Sequence, residues 1–230
     1  MSYRFPIYRH HGSVFLVIFG LLLAAITIFL LAGATEAAYQ RLGFSRLQVV
    51  LILVGSFAGA LVNIPVWRVK SVQRVLESEE IRFFGITYRI PHLAVREVST
   101  VVAVNLGGAL IPLVVSLYLL RMHPGMVPAA LLGILLTSIV VHLVAQRVPG
   151  LGIATPAFVP PIAAALVAYV LSPTLPSIVA YVSGTLGTLI GADLTNLNGI
   201  GELGAPVASI GGAGTFDGIF LAGILAVLLV

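Results

Sequence analysis

Apolar residues run in seven long stretches along the chain, at about 14–35, 47–66, 98–120, 127–145, 156–171, 176–192 and 212–230. Most approach the roughly 20 residues that an α-helix needs to cross the hydrocarbon core of a bilayer. The pattern predicts an all-α integral membrane protein with about seven transmembrane helices. Val14 to Ala34 is longer than the apolar core of a signal peptide, about 7–15 residues, so it reads as a retained span. Pro156, Pro160 and Pro161 predict an irregular or kinked fifth span, because proline removes a helix N–H and crowds the preceding turn. Ser172-Pro173-Thr174-Leu175-Pro176 predicts a tight turn after it. Gly55 and Gly59, and again Gly187 and Gly191, have GxxxG spacing, which lets two helix backbones approach closely.

The polar pattern changes period in one place. Trp67-Arg68-Val69-Lys70 and Ile86-Thr87-Tyr88-Arg89-Ile90 alternate apolar with polar, as a half-exposed strand does. Phe84-Gly85 can turn a hairpin between Ile81–Phe83 and Ile86–Ile90. A small cytoplasmic β-ribbon between helices two and three is therefore expected. The alternative is a basic amphipathic linker that only sets topology. The chain then divides into an N-terminal cytoplasmic segment (1–13), helices one and two (14–66), the ribbon (67–97), and helices three to seven (98–230) with a Gly-rich loop at 194–215.

Composition fits a protein whose solvent is lipid. Hydrophobic residues make up 59% of 230 and charged residues 9%, against about a quarter charged in a soluble domain. Mean hydropathy is +1.12. Nine of the twelve Lys and Arg residues fall on one side of the expected topology if the N-terminus is cytoplasmic. That bias favours this orientation, in the cell membrane. The net charge is +4, and the ribbon holds six of the twelve Lys and Arg residues without forming an extended basic face, so lipid is the expected partner and nucleic acid is not. Cysteine is absent, which excludes disulfides and thiolate metal sites. Neither a metal nor a cofactor is expected, and the oligomeric state is left open.

Polar side chains inside spans are costly, so each is a functional candidate. Asn63, Asn105, His142, Asp193 and Asp217 come from five spans and would converge at one depth near the inner face. Asn63 and Asn105 also suit interhelical hydrogen bonding, His142 an interfacial position beside Gln146 and Arg147, and Glu202 a solvated loop. Asp217 is harder to dismiss. Only thirteen residues follow it, about 20 Å of helix against a core of about 30 Å. A complete last span would have to begin near Gly211 or Gly212, with Asp217 inside it. No Lys or Arg follows Arg147, so Asp193 is the nearest ionisable candidate partner. Two carboxylates facing each other out of water share one proton, leaving one as general base and the other as general acid.

The run Ile190-Gly191-Ala192-Asp193 and Gly211-Gly212-Ala213-Gly214-Thr215-Phe216-Asp217-Gly218-Ile219-Phe220 resembles a prokaryotic multi-pass membrane-protein family catalogued as a domain of unknown function. The resemblance covers most of the chain and implies a class without an activity. The same run is distantly similar to the GxGD intramembrane aspartyl proteases, the presenilin, signal-peptide-peptidase and prepilin-peptidase group. That similarity implies Asp193 as the first catalytic aspartate, Asp217 as the second, and Gly212-Ala213-Gly214 as the glycine turn. It departs from the pattern where Thr215 and Phe216 separate the glycines from Asp217 and where Ala192 stands in place of tyrosine. No Pro-Ala-Leu motif follows the aspartates.

Three functions are open on this reading. An intramembrane aspartyl protease would hydrolyse a membrane-embedded peptide at Asp193 and Asp217, supported by Gly212, Gly214, Asn105 and Asn63. An ion- or proton-coupled transporter or channel would use Thr195 to Gly201 and the following glycines as a re-entrant loop. A scaffold would use the ribbon as its contact surface.

Overall fold

The computed structural model describes residues 12–148, 152–203, 205–212 and 218–230. Its α-helices are α1 (Gly12–Arg41), α2 (Arg46–Gly59), α3 (Ile111–Met122), α4 (Val127–Val144), α5 (Val159–Leu171), α6 (Pro176–Thr188) and α7 (Gly218–Leu229). Three helical stretches are long and apolar enough to cross a membrane, Phe19–Arg41, Pro124–Val144 and Pro176–Gly201. The other apolar helices, α2, α5, α7 and the stretch Leu106–Met122, are shorter. The molecule is a mostly helical membrane protein with seven α-helices among its described residues.

α6 is the hub, packed against α3, α4, α5 and α7. Glycine makes this possible. A β-carbon at Gly187 would strike Thr137 of α4, one at Gly191 would strike the Ser138 carbonyl, and one at Gly184 would meet the Ala222 carbonyl of α7 at 2.9 Å. Gly133 and Gly223 answer from the facing helices, against Ser183 and Thr185. With no hydrophobic force between helices in lipid, such close contact is the main attraction. The other GxxxG pair also meets a neighbour, Gly59 facing the Gly107 backbone and Gly55 the Ile111 side chain. Some hydroxyls on these helices return to the carbonyl one turn back, as Ser116 does to Pro112 and Ser183 to Val179. Ser56 and Thr137 instead bury hydroxyls that have no hydrogen-bond partner among the described residues.

The prolines expected to kink the fifth span instead start it. Pro160 and Pro161 occupy the first turn of α5, where a missing N–H has no intrahelical partner to lose. α2 opens on a capping box, with Ser45 and Gln48 bonding each other's backbone N–H.

The ribbon is an antiparallel hairpin of β1 (Asn63–Phe83) and β2 (Ile86–Asn105), paired from Asn63 opposite Asn105 to Phe83 opposite Ile86 with one shift of register between Pro65 and Trp67. Phe84 and Gly85 form its turn, both with positive φ, 49° and 79°, as a two-residue hairpin loop of matching twist requires. The strands run past the expected 67–97 limits at both ends. Residues 98–105, read above as the start of the third span, belong to β2. Val98-Ser99-Thr100-Val101-Val102-Ala103-Val104 is rich in β-branched residues, and a short apolar run does not by hydropathy distinguish strand from helix. Residues 63–66 likewise leave the second span for β1. A short two-stranded sheet follows α4, β3 (Gln146–Val148) with β4 (Gly152–Ala154).

The Gly-rich 194–215 region is not all loop. A 3₁₀ helix covers Leu194–Leu203, and β5 (Val207–Ile210) pairs in parallel with Val101–Val104 of β2. The first sheet therefore has the order β1-β2-β5.

Candidate functional site around Asp193

α6 does not end cleanly. It passes into a π-helical turn, Leu189–Asp193, and then into the 3₁₀ helix. Such a change of pitch leaves backbone carbonyls without their usual partners. Two side chains from the next turn answer them. Thr195 donates its hydroxyl to the Gly191 carbonyl at 2.7 Å, and Asn196 Nδ2 donates to the Ala192 carbonyl at 2.9 Å. A hydroxyl has one hydrogen, so Thr195 Oγ1 then accepts from His142 Nδ1 at 2.8 Å. This assigns the His142 proton to Nδ1.

Asp193 closes the π turn with its carboxylate turned toward β5. Its Oδ2 accepts the Gly211 N–H at 2.9 Å. Gly211 and Gly212 both have positive φ, 84° and 97°, and a β-carbon at Gly211 would strike Ala109. Only glycine meets both demands. Ala109 belongs to a second π-helical turn, Leu106–Leu110, which precedes α3. Gly211 thus lies between two π turns, touching one and bonded to the carboxylate of the other.

Asn105 and Asn63 stand at the root of the ribbon rather than inside spans. Buried Asn105 is fully engaged. Its Nδ2 donates to the Ala60 carbonyl at 2.8 Å and to Asn63 Oδ1 at 3.0 Å, while its Oδ1 accepts the Gly108 N–H at 2.8 Å, capping the first π turn. Asn63 Oδ1 also accepts from the Ser209 hydroxyl at 2.6 Å. The three residues lace β1, β2 and β5 together two positions before Gly211. The bland reading of the asparagines as hydrogen-bonding glue describes their geometry, although they join strands, not helices.

The remaining candidates divide. Gly212 is described, whereas Asp217 and Gly214 lie outside the described residues, as does the side chain of Glu202. Arg147, from β3, lies across Gly199 and donates Nε to Asn196 Oδ1 at 3.2 Å. Its bonded partner is the amide and not Asp193. The described residues form two ion pairs, Arg46–Glu36 and Arg89–Glu80, and Asp193 is in neither. No group of three or more His, Asp or Glu residues among the described ones could hold a metal.

A family model described as "Protein of unknown function (DUF1614)" matches residues 57–229. No curated protein and no solved structure matches the chain.

Proposed function

The chain belongs to the DUF1614 family, and we propose that this member is an intramembrane aspartyl protease whose paired carboxylates are Asp193 and Asp217. The observation that carries this reading is the bond from Gly211 N–H to Asp193 Oδ2. Gly211 opens the Gly211-Gly212-Ala213-Gly214 run that leads, six residues on, to Asp217. The bond fixes the start of the run that leads to the second acid. Asp193 has no cationic partner among the described residues, which suits a carboxylate that shares a proton with another acid. In the proposed reaction one carboxylate takes a proton from water, whose oxygen attacks the peptide carbonyl. The other acid protonates the carbonyl oxygen. As the tetrahedral intermediate collapses, the first carboxyl, now protonated, gives its proton to the leaving amine while the second takes one back from a hydroxyl of the intermediate. The substrate is a transmembrane peptide, and the proposed topology keeps seven spans with the N-terminus and ribbon in the cytoplasm of a cell-membrane protein. Asn105 and Asn63 act at a distance, by holding β5 and hence Gly211 in place.

The test is cleavage of a membrane-embedded reporter peptide by the full chain in proteoliposomes. Asp193→Asn and Asp217→Asn preserve shape and remove the acid, and each should lower the rate at least about 100-fold, the scale of general acid–base catalysis. Unchanged cleavage in either variant overturns the reading. A second reading, ion- or proton-coupled transport, is favoured by the break of α6 into π and 3₁₀ turns beside a carboxylate, as at transporter sites. Flux across the same vesicles that both variants abolish, with no cleavage by the unaltered chain, would select it.

A further inference from the structure

At the other end of α6, roughly 25 Å along the helix from Asp193 at about 1.5 Å per residue, three connections meet. They are the turn between α1 and α2, His123 between α3 and α4, and the 172–175 turn that precedes α6. Between them lies a half-open cavity of about 260 Å³ whose polar lining is Arg41, His123, Thr174 and Ser177, the rest being glycine, proline and aliphatic residues, with no Asp or Glu in its wall. Space on this scale suits a headgroup or small anion, being below the usual range for drug-sized ligands.

Donors outnumber acceptors there. Arg41 spends one N–H on the Val227 carbonyl at 3.1 Å, of the five a guanidinium carries. α6 begins at Pro176 with no side chain capping it and no acid in its first turn, so its early N–H groups also lack an acceptor. His123 and the Thr174 and Ser177 hydroxyls add further donors. The polar part of the wall, a guanidinium, an imidazole and two hydroxyls without a carboxylate, is complementary to a multiply accepting anion, and a planar guanidinium matches two phosphate oxygens at once.

We propose that this cavity binds a phosphate group, carried by an anionic lipid headgroup or by the free ion. Arg41 supplies the charge, and His123, Thr174 and Ser177 supply hydrogen bonds. The cavity also ties α1, which precedes the matched residues 57–229, to the bundle through the bound anion.

The experiment uses the full chain in nanodiscs of phosphatidylcholine, with thermal unfolding followed as phosphatidylglycerol or inorganic phosphate is raised. Either probe that binds should raise Tm in a saturable way. His123→Gln should weaken the apparent affinity at least tenfold. Arg41→Gln can also loosen α7, because Arg41 holds the Val227 carbonyl. Thr174→Glu therefore provides an independent variant, at an exposed position, that places an acid in the cavity. It should keep the unliganded Tm and lose the response. Stabilisation by phosphatidylglycerol alone identifies the lipid as the source, and stabilisation by inorganic phosphate with the same variant dependence identifies the free ion. The proposal is overturned if neither probe shifts Tm, or if His123→Gln and Thr174→Glu respond like the unaltered chain.

Discussion

α1 and α6 are both apolar enough to cross a membrane, yet they sit in opposite surroundings. In the most apolar window of the α1 stretch 11% of residues are buried, against 78% for the stretch that α6 begins. The less apolar of the two, bearing Ser183, Thr185, Thr188 and four glycines between Gly184 and Gly199, is the one at the centre. In water that order would be inverted. In lipid, Leu and Phe gain nothing by leaving the tails, so residues such as Leu22 and Phe29 of α1 stay outward. Small and hydroxylated residues are drawn inward by close packing and hydrogen bonds. Among the described residues of α1, those buried in the bundle include Thr35, Ala38 and Tyr39 near its C-terminal end, where Tyr39 and Tyr181 place their hydroxyls 3.2 Å apart.

The sharpest way to break this contrast is to add one methyl group to each helix. Gly191→Ala puts a β-carbon into the Ser138 carbonyl and against Val141. It should destabilise the protein by about 1–3 kcal/mol or more, the cost of overpacking. Gly20→Ala in α1 meets nothing within 4 Å and should be neutral or stabilising by up to about 1 kcal/mol through helix propensity. Thermal unfolding in detergent compares them directly. Equal effects would remove the distinction between the helices.

A somewhat smaller loss is expected where the ribbon meets the bundle. Asn105→Ala strands the buried Gly108 N–H, at about 1–3 kcal/mol for one unmet group, while the Ala60 carbonyl it releases is only half-buried. Asn63→Ala, at an exposed residue, should cost less. Hydrogen exchange at β5 would report whether the loss loosens the strand carrying Gly211.

The least effect belongs to the tyrosine pair. Tyr181→Phe and Tyr39→Phe should each cost about 1 kcal/mol, the net value of one hydrogen bond. The double variant should cost less than the two combined, because both remove the same contact. Full additivity in that cycle would show that the hydroxyls stabilise the protein separately.

Much of the architecture was legible in the chain. Long apolar runs mark the membrane class because lipid tolerates so little charge. The Phe84-Gly85 turn is legible because the strands on either side alternate with period two. The GxxxG pairs mark close approaches because a missing side chain is itself the signal. Other features were hidden for physical reasons. Residues 98–105 are apolar and β-branched, and hydropathy responds to transfer free energy, not to backbone pitch. The prolines at 160 and 161 read as a kink because sequence alone does not reveal which residue begins a helix. Thr195 and Asn196 looked like parts of a loop until the carbonyls they cap were located.

The sequence by itself determined the solvent of this protein, its helical class, its hairpin turn and the acids available to it, because these follow from composition and from periods of a few residues. Only the tertiary structure decided that Gly211 would donate to Asp193, that Ser209 would reach Asn63 across 146 positions, and that α6 rather than α1 would be central. Those outcomes depend on which backbones can approach one another in three dimensions, and short-range patterns along a chain carry no record of that.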